Sequence, residues 1–250
     1  MIRSLFGAAV LAFLFGCQPE GGHCWDRLGN PASSEQRLEV PGDRIWLVVG
    51  DGVDVIWSMA DSEHSHLAWS APEGLIGGAF AEWSADSLMI ADANACRWLR
   101  NPEIHLTCSI FSPPPRGVVL NGAGIFETLD TLRRPTDFTL RGNRSTSRAH
   151  LVIEADSVAV RIPAGALTVE LAGRARRLGA YVAGLSAMDA SNLATSQAQI
   201  HSALNRPSAI RASDYAYVEI AGTGDVRVHG APAVLDVSDA GLGGNLIEMP

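Results

Sequence analysis

Residues 218–244 read VEIAGTGDVRVHGAPAVLDVSDAGLGG. Val218, Ile220, Val226 and Val228 fall at every second position of two short runs, which is the period of a strand that buries one face. Between the runs stands Gly222-Thr223-Gly224-Asp225, a glycine turn where the chain must bend and φ above zero comes without steric cost. A further unit of strand then glycine follows at Leu235-Asp236-Val237, with Gly241 behind it. Units of this kind cannot bury their apolar face alone. Stacked, they build one continuous core, and only the two ends need capping.

Working outward, the frame V-x-[LI]-x-G occurs at Val118–Gly122, at Val169–Gly173 and at Val218–Gly222. The starts are separated by about fifty residues, which reads as two coils of a β-solenoid. A β-sandwich with coincidental glycines is the alternative. Leu88–Ile90 and Ile104–Phe111 are further strand candidates, and in WLVVGDGVDVIW (46–57) two β-rich runs flank Gly50-Asp51-Gly52, a hairpin signal. Ala187–Leu204 is Ala-rich, but Ser191, Asn192, Thr195 and Ser196 interrupt it, so a helix there is a minor option. Pro113-Pro114-Pro115 separates an N-terminal third from the rest. All six tryptophans (25, 46, 57, 69, 83 and 98) precede it. They read as packing of a small sheet, with a sugar-stacking surface as the alternative.

The first residues point to export. A short positive start ends at Arg3, and Leu5–Phe15 is almost wholly apolar, long enough for a secretion signal and too short to span a bilayer. Leu14-Phe15-Gly16-Cys17 then resembles the lipobox of bacterial lipoproteins, whose cysteine is acylated and becomes the first residue. The expectation is a signal peptide over 1–16, a tether over 17–36 closed by PASSEQ, and a single folded domain over 37–250. Stable anchoring needs two or more acyl chains, so a lipid on Cys17 implies a surface-tethered protein of the bacterial cell envelope, at the outer membrane or facing the periplasm.

The 250-residue chain is 47% hydrophobic and carries a net charge of −8. That balance argues against nucleic acid and against a polybasic grip on anionic lipid. All 19 basic residues are arginine, which reads as genome composition. The cysteines are 17, 24, 96 and 108. Cys108 shares one face of a strand with Ile104, Leu106 and Ile110 and reads as a buried small hydrophobe. In an oxidising compartment that leaves a Cys24–Cys96 disulfide, with Cys96–Cys108 as the other pairing.

Taken together, four segments resemble the GIN family of auto-transporter adhesin head domains and its lipoprotein members. They are RLEVPGDRIWLVVGDGVDVIW (37–57), ADANACRWLRNPEIHLTCSI (91–110), NGAGIFETLDTL (121–132) and the stretch quoted first. The likeness covers essentially 37–250 and rests on the order of the segments. It implies an all-β fold, a right-handed parallel β-helix of short strands with a strand-rich N-terminal part. It also implies an early cysteine after the lipid site, in keeping with Cys24–Cys96. Only Gly222, Thr223, Gly224 and Asp225 keep the family's full turn; Gly122-Ala123-Gly124 lacks the acid and Gly173-Arg174-Ala175 lacks the second glycine. An irregular middle of the solenoid is therefore expected, with the coil near 188–204 hard to place.

Chemistry is sparse. There is no phosphate-binding loop, no nucleophile elbow and no C-x-x-C, and the paired glycines lack the third glycine of a dinucleotide site. No cofactor, metal or catalytic residue is expected. His64 and His66, with Asp61 and Glu63 near them, read as solvated surface more readily than as a metal site. Arg174, Arg176 and Arg177 form a local basic cluster. On a solenoid face they could meet an acidic polysaccharide or lipid headgroups; otherwise they are a solvated turn. The expected function is a non-enzymatic adhesin-type binding or scaffolding module, whose partners are the membrane through its lipid and a surface glycan or envelope protein. The alternatives are a polysaccharide-acting β-helix enzyme, which needs clustered carboxylates, and a structural or sensing part of an envelope complex.

Overall fold

The computed structural model describes residues 28–42, 45–94 and 104–249. They form a β-solenoid of about seven turns. Its regular part is four long parallel strands, β10 (Leu132–Ser145), β11 (Arg148–Gly165), β12 (Thr168–Gly184) and β13 (Ala187–Leu204). Arg148, Thr168 and Ala187 are ladder neighbours, so one coil takes about 20 residues. Each coil passes three walls. Ala149, Val169 and Met188 stack inside the first, Ile153 and Leu193 inside the second, and Val160, Ala180 and Ile200 inside the third, all buried. Each fully buried Val, Leu or Ile contributes about 1.5–3 kcal/mol relative to exposure. The ladder pairs the backbone groups that such burial takes from water.

Several expectations change. Most strands are short, at 4–7 residues, but four are long: β11 and β13 run 18 residues, bending at the corners without leaving the ladder. The middle carries the longest ladders, with register shifts along β10–β11 and between Glu170 and Ala172, and 187–204 is strand. Parallel neighbours on both sides override the alanine-rich propensity, while Ala190, Leu193, Ala198 and Ile200 fill the core. The repeat spacing also had the wrong phase. Val118 reaches Val218 through Leu140, Val160, Ala180 and Ile200, five coil steps over 100 residues. Fifty residues is two and a half coils, and Val169 therefore lies on another wall. The frame repeats because a buried strand that ends in glycine occurs at more than one corner.

Gly50-Asp51-Gly52 is a corner too, not a hairpin. The strand before it, β2 (Trp46–Val49), pairs with β6 (Ser87–Asp92) and β8 (Gly117–Leu120); the strand after it, β3 (Val53–Met59), pairs with β7 (Leu106–Ser112) and β9 (Ile125–Thr128). Both edges of each run are taken by other coils. Gly52 turns the chain at φ +79°, and the Asp51 carboxylate accepts the Ala123 N–H at 2.7 Å, tying this corner to the Gly122–Gly124 corner above.

Residues 60–94 and 104–116 cap the N-terminal end. β6 and β7 extend two walls, and β4 (His66–Pro72) and β5 (Ala79–Ser84) add antiparallel edges, with one short helix α1 (Glu73–Ile76) between them. Residues 31–36, expected as tether, belong to β1 (Pro31–Arg37), which pairs antiparallel with β4. The sequence signal was missed because this strand is almost fully exposed: its ladder needs no apolar side chains, and polar residues suit an edge. Trp57 and Trp69 pack in the core as expected; Trp46 lies partly exposed with Arg141 over its ring at 4.9 Å. Trp25 and Trp98 lie outside the described residues, as do Cys17, Cys24 and Cys96.

Cys108 is a free thiol, fully buried, and burial pushes its pKa up to about 12 from 9.0. The unfolded thiol ionises first, so this group leaves stability unchanged below pH 9 and reduces it as pH rises from 9 toward 12. A thiol reagent at pH 8 should leave Cys108 unmodified in the native protein and label it after denaturation. Rapid native labelling, read by peptide mass spectrometry, would contradict its burial.

Candidate functional site

An open groove of about 1150 Å³ runs along the outside of the second wall. Its floor is small: Ala155, Ala175, Ala194, Thr195, Ala212 and Ser213. Its rims carry Arg133, Arg134, Arg174, Arg176 and Arg211, against two carboxylates, Glu154 and Asp156. The groove is thus a locally cationic strip on a chain of net charge −8.

The coil repeat builds this strip. Arg133, Glu154, Arg174 and Ala194 are successive ladder partners, all pointing outward. The Ser213 N–H donates to the Thr195 carbonyl at 3.0 Å and the Thr195 hydroxyl donates to the Arg211 carbonyl, so Arg211 lines the same groove on the next coil. Rungs lie about 4.8 Å apart, so Arg133 and Arg211 are separated by roughly 19 Å along the axis. Arg133 Nε meets Glu154 Oε2 at 3.3 Å. One coil position further on, Arg176 grips Asp156 with two bonds, at 2.6 and 3.0 Å, and Arg177 adds a third at 3.2 Å. The Arg176 bond, then both arginine charges, hold the Asp156 carboxyl below the usual carboxylate range. Arg174 and Arg211 have no carboxylate partner among the described residues.

Of the expected contact residues, Arg174 and Arg176 line the groove and Arg177 joins it through Asp156. Arg133, Arg134 and Arg211 were missed. They are one or two coils distant in sequence, and only the coil length reveals them as neighbours. The turn Gly222-Thr223-Gly224-Asp225 lies at a different corner. Its glycines are required by close approach and not by positive φ: a Cβ at Gly222 would sit 2.3 Å from the Leu204 carbonyl oxygen, and one at Gly224 2.1 Å from that of Arg206. Asp225 accepts the Asn245 backbone N–H at 3.0 Å and its side-chain amide at 3.1 Å. The motif is a rung-to-rung staple.

Elsewhere, His64 Nδ1 lies 2.7 Å from Asp61 Oδ1, whereas the His66 ring stacks on Phe111 at 4.3 Å. Different partners hold the two rings, and no group of three metal-ligating side chains occurs among the described residues.

The groove thus lies open on an outer wall of a three-walled β-solenoid. The chain belongs to the family described as putative auto-transporter adhesin, head GIN domain, whose model matches residues 47–232. Solved structures are similar throughout. A putative adhesin of Bacteroides fragilis superposes with a TM-score of 0.77 at 15% identity, over 88% of this chain and 97% of that one. A putative adhesin of Parabacteroides distasonis gives 0.67 at 14%, over 88% and 98%. A putative lipid binding protein of the same organism gives 0.59 at 16%, over 89% and 98%. At such identities the likeness is one of fold. No curated protein matches the sequence.

Proposed function

We propose that this protein is a non-enzymatic, lipid-anchored module of the bacterial cell envelope that binds a polyanionic surface chain along the arginine groove. The observation that carries the reading is the groove's composition. Its floor is Ala, Ser and Thr, and both of its carboxylates are engaged by arginines. Acid–base cleavage of a glycosidic bond needs two carboxyl groups placed to protonate and to attack; Glu154 and Asp156 are instead ion-paired. The adhesin descriptions of the family and of its solved relatives agree with a binding role.

The anchor rests on the Leu14–Cys17 lipobox. In a bacterial host, Cys17→Ala should abolish incorporation of labelled palmitate; persistent labelling would refute the anchor. The binding reading is tested with the soluble form 24–250 against immobilised acidic and neutral polysaccharides. Retention by acidic polymers should be lost at high salt, because exposed charges are screened there. Equal retention by neutral polymers, or release of reducing ends from any of them, would overturn it.

A further inference from the structure

The outward column of the second wall reads Arg133, Glu154, Arg174, Ala194, and Arg211 lines the groove on the next coil. Charge alternates along it, positive, negative, positive, and then fails at Ala194, where a carboxylate would continue the pattern. From this gap we infer that the Ala194 rung is an anion subsite, in which a carboxylate of a bound acidic polysaccharide sits between Arg174 and Arg211. The inference deepens the polyanion reading above and rests on it.

Three observations support the assignment. First, the protein itself shows which group fits between two arginine rungs: Glu154 occupies the interval between Arg133 and Arg174, and its carboxylate contacts Arg133 at 3.3 Å. Arg174 and Arg211 are likewise two coils apart, about 9.6 Å along the axis, and both line the groove. Second, both flanking guanidiniums lack a carboxylate partner among the described residues, and like charges at that distance repel unless an anion lies between them. Third, the space is present. Ala194 is exposed, and its neighbours in the groove, Thr195, Ser196, Ala212 and Ser213, are small. A carboxylate is favoured over other anions because the neighbouring rung accepts one, and a guanidinium fork matches its planar geometry. The groove is open along the solenoid axis, so a polymer can supply the group without either end entering a cavity.

The decisive variant is Ala194→Glu, which supplies the missing carboxylate from the chain itself. The fold should tolerate it, since the residue is exposed in a strand and the new side chain meets two arginines. Probes are polygalacturonate for carboxylates, dextran sulfate for sulfates and polyglutamate for acidic peptide, each measured by salt-dependent retention of the soluble form. Ala194→Glu and Arg211→Ala should each weaken polygalacturonate binding about three- to fivefold, a loss of about one exposed charge contact. Arg133→Ala should change it less than twofold, because its charge is already matched. Glu154→Ala, which opens a second gap, should strengthen it. If wild type retains no polymer, the polyanion reading itself fails. If wild type binds but Ala194→Glu and Arg211→Ala bind equally well, the subsite is refuted and the reading survives. If the variants alter retention of dextran sulfate or polyglutamate alone, the polysaccharide carboxylate assignment is overturned.

Discussion

Gly173→Ala is expected to lower the melting temperature by roughly 10 °C. The residue sits at a corner with φ +108°, and a Cβ there would lie 2.2 Å from the Ile153 carbonyl oxygen. Two costs add. The backbone region is sterically unfavourable for any L side chain, at about 1–2 kcal/mol, and the clash is with backbone of the coil below, which cannot rotate away. Relief must shift a rung of the ladder, at about 1–3 kcal/mol. A total near 3 kcal/mol corresponds to that drop for a domain of this size. Thermal unfolding followed by circular dichroism checks it. A variant as stable as wild type would mean that the corner is not held as described. Gly179→Ala is the control: it has φ outside the forbidden region and nothing within 4 Å of its Cβ, so it should be neutral or slightly stabilising.

Trp57→Ala should be the costliest single truncation at the N-terminal end. Trp57 is fully buried on β3, the strand between β7 and β9. Truncation leaves a large cavity, typically worth about 3–5 kcal/mol. It also removes the indole N–H that donates to Ser112 Oγ at 3.1 Å. Trp57→Phe keeps most of the volume and should cost about 1–2 kcal/mol, mainly through that bond. Urea titration distinguishes the two. Equal losses would place the importance of Trp57 in the hydrogen bond and not in packing. The damage should start at the capped end, because each coil contacts only its neighbours; hydrogen exchange should show the 46–128 ladders opening before those of β11–β13.

Much of the architecture was legible in the sequence. Alternation such as Val218-Glu219-Ile220 fixes which side of a strand is buried whatever its partner, so strands and core residues can be read locally. Glycine marks corners for the same reason. The coil length could not be read this way. Val118, Val169 and Val218 share one frame while standing on two different walls, because burying alternate residues before a bend looks alike at either corner. Gly50-Asp51-Gly52 carries the chemistry of a hairpin, yet the pairing of its flanks depends on β6, β7, β8 and β9, which are distant in sequence. β1 was hidden because an exposed edge has no apolar signature.

The groove was half legible. Arg174, Arg176 and Arg177 are adjacent in sequence and announce themselves as a basic cluster. Arg133 and Arg211 enter only through rung-by-rung stacking, and so does the role of Ala194, which no reading of composition would single out. The sequence marks a cluster of like charge; the ladder turns it into an ordered series with one member missing.

The coil of about 20 residues has a further consequence. Along the axis, outward side chains can stand only at whole multiples of one interstrand distance, because the hydrogen-bonded ladder sets that interval and no substitution can alter it. The protein is in this sense a graduated rod. Point changes can write or erase a mark, but the gap between marks changes only when an entire turn is gained or lost. A lineage adapting to a polymer with a different charge period would therefore have to change its length in quanta of one coil.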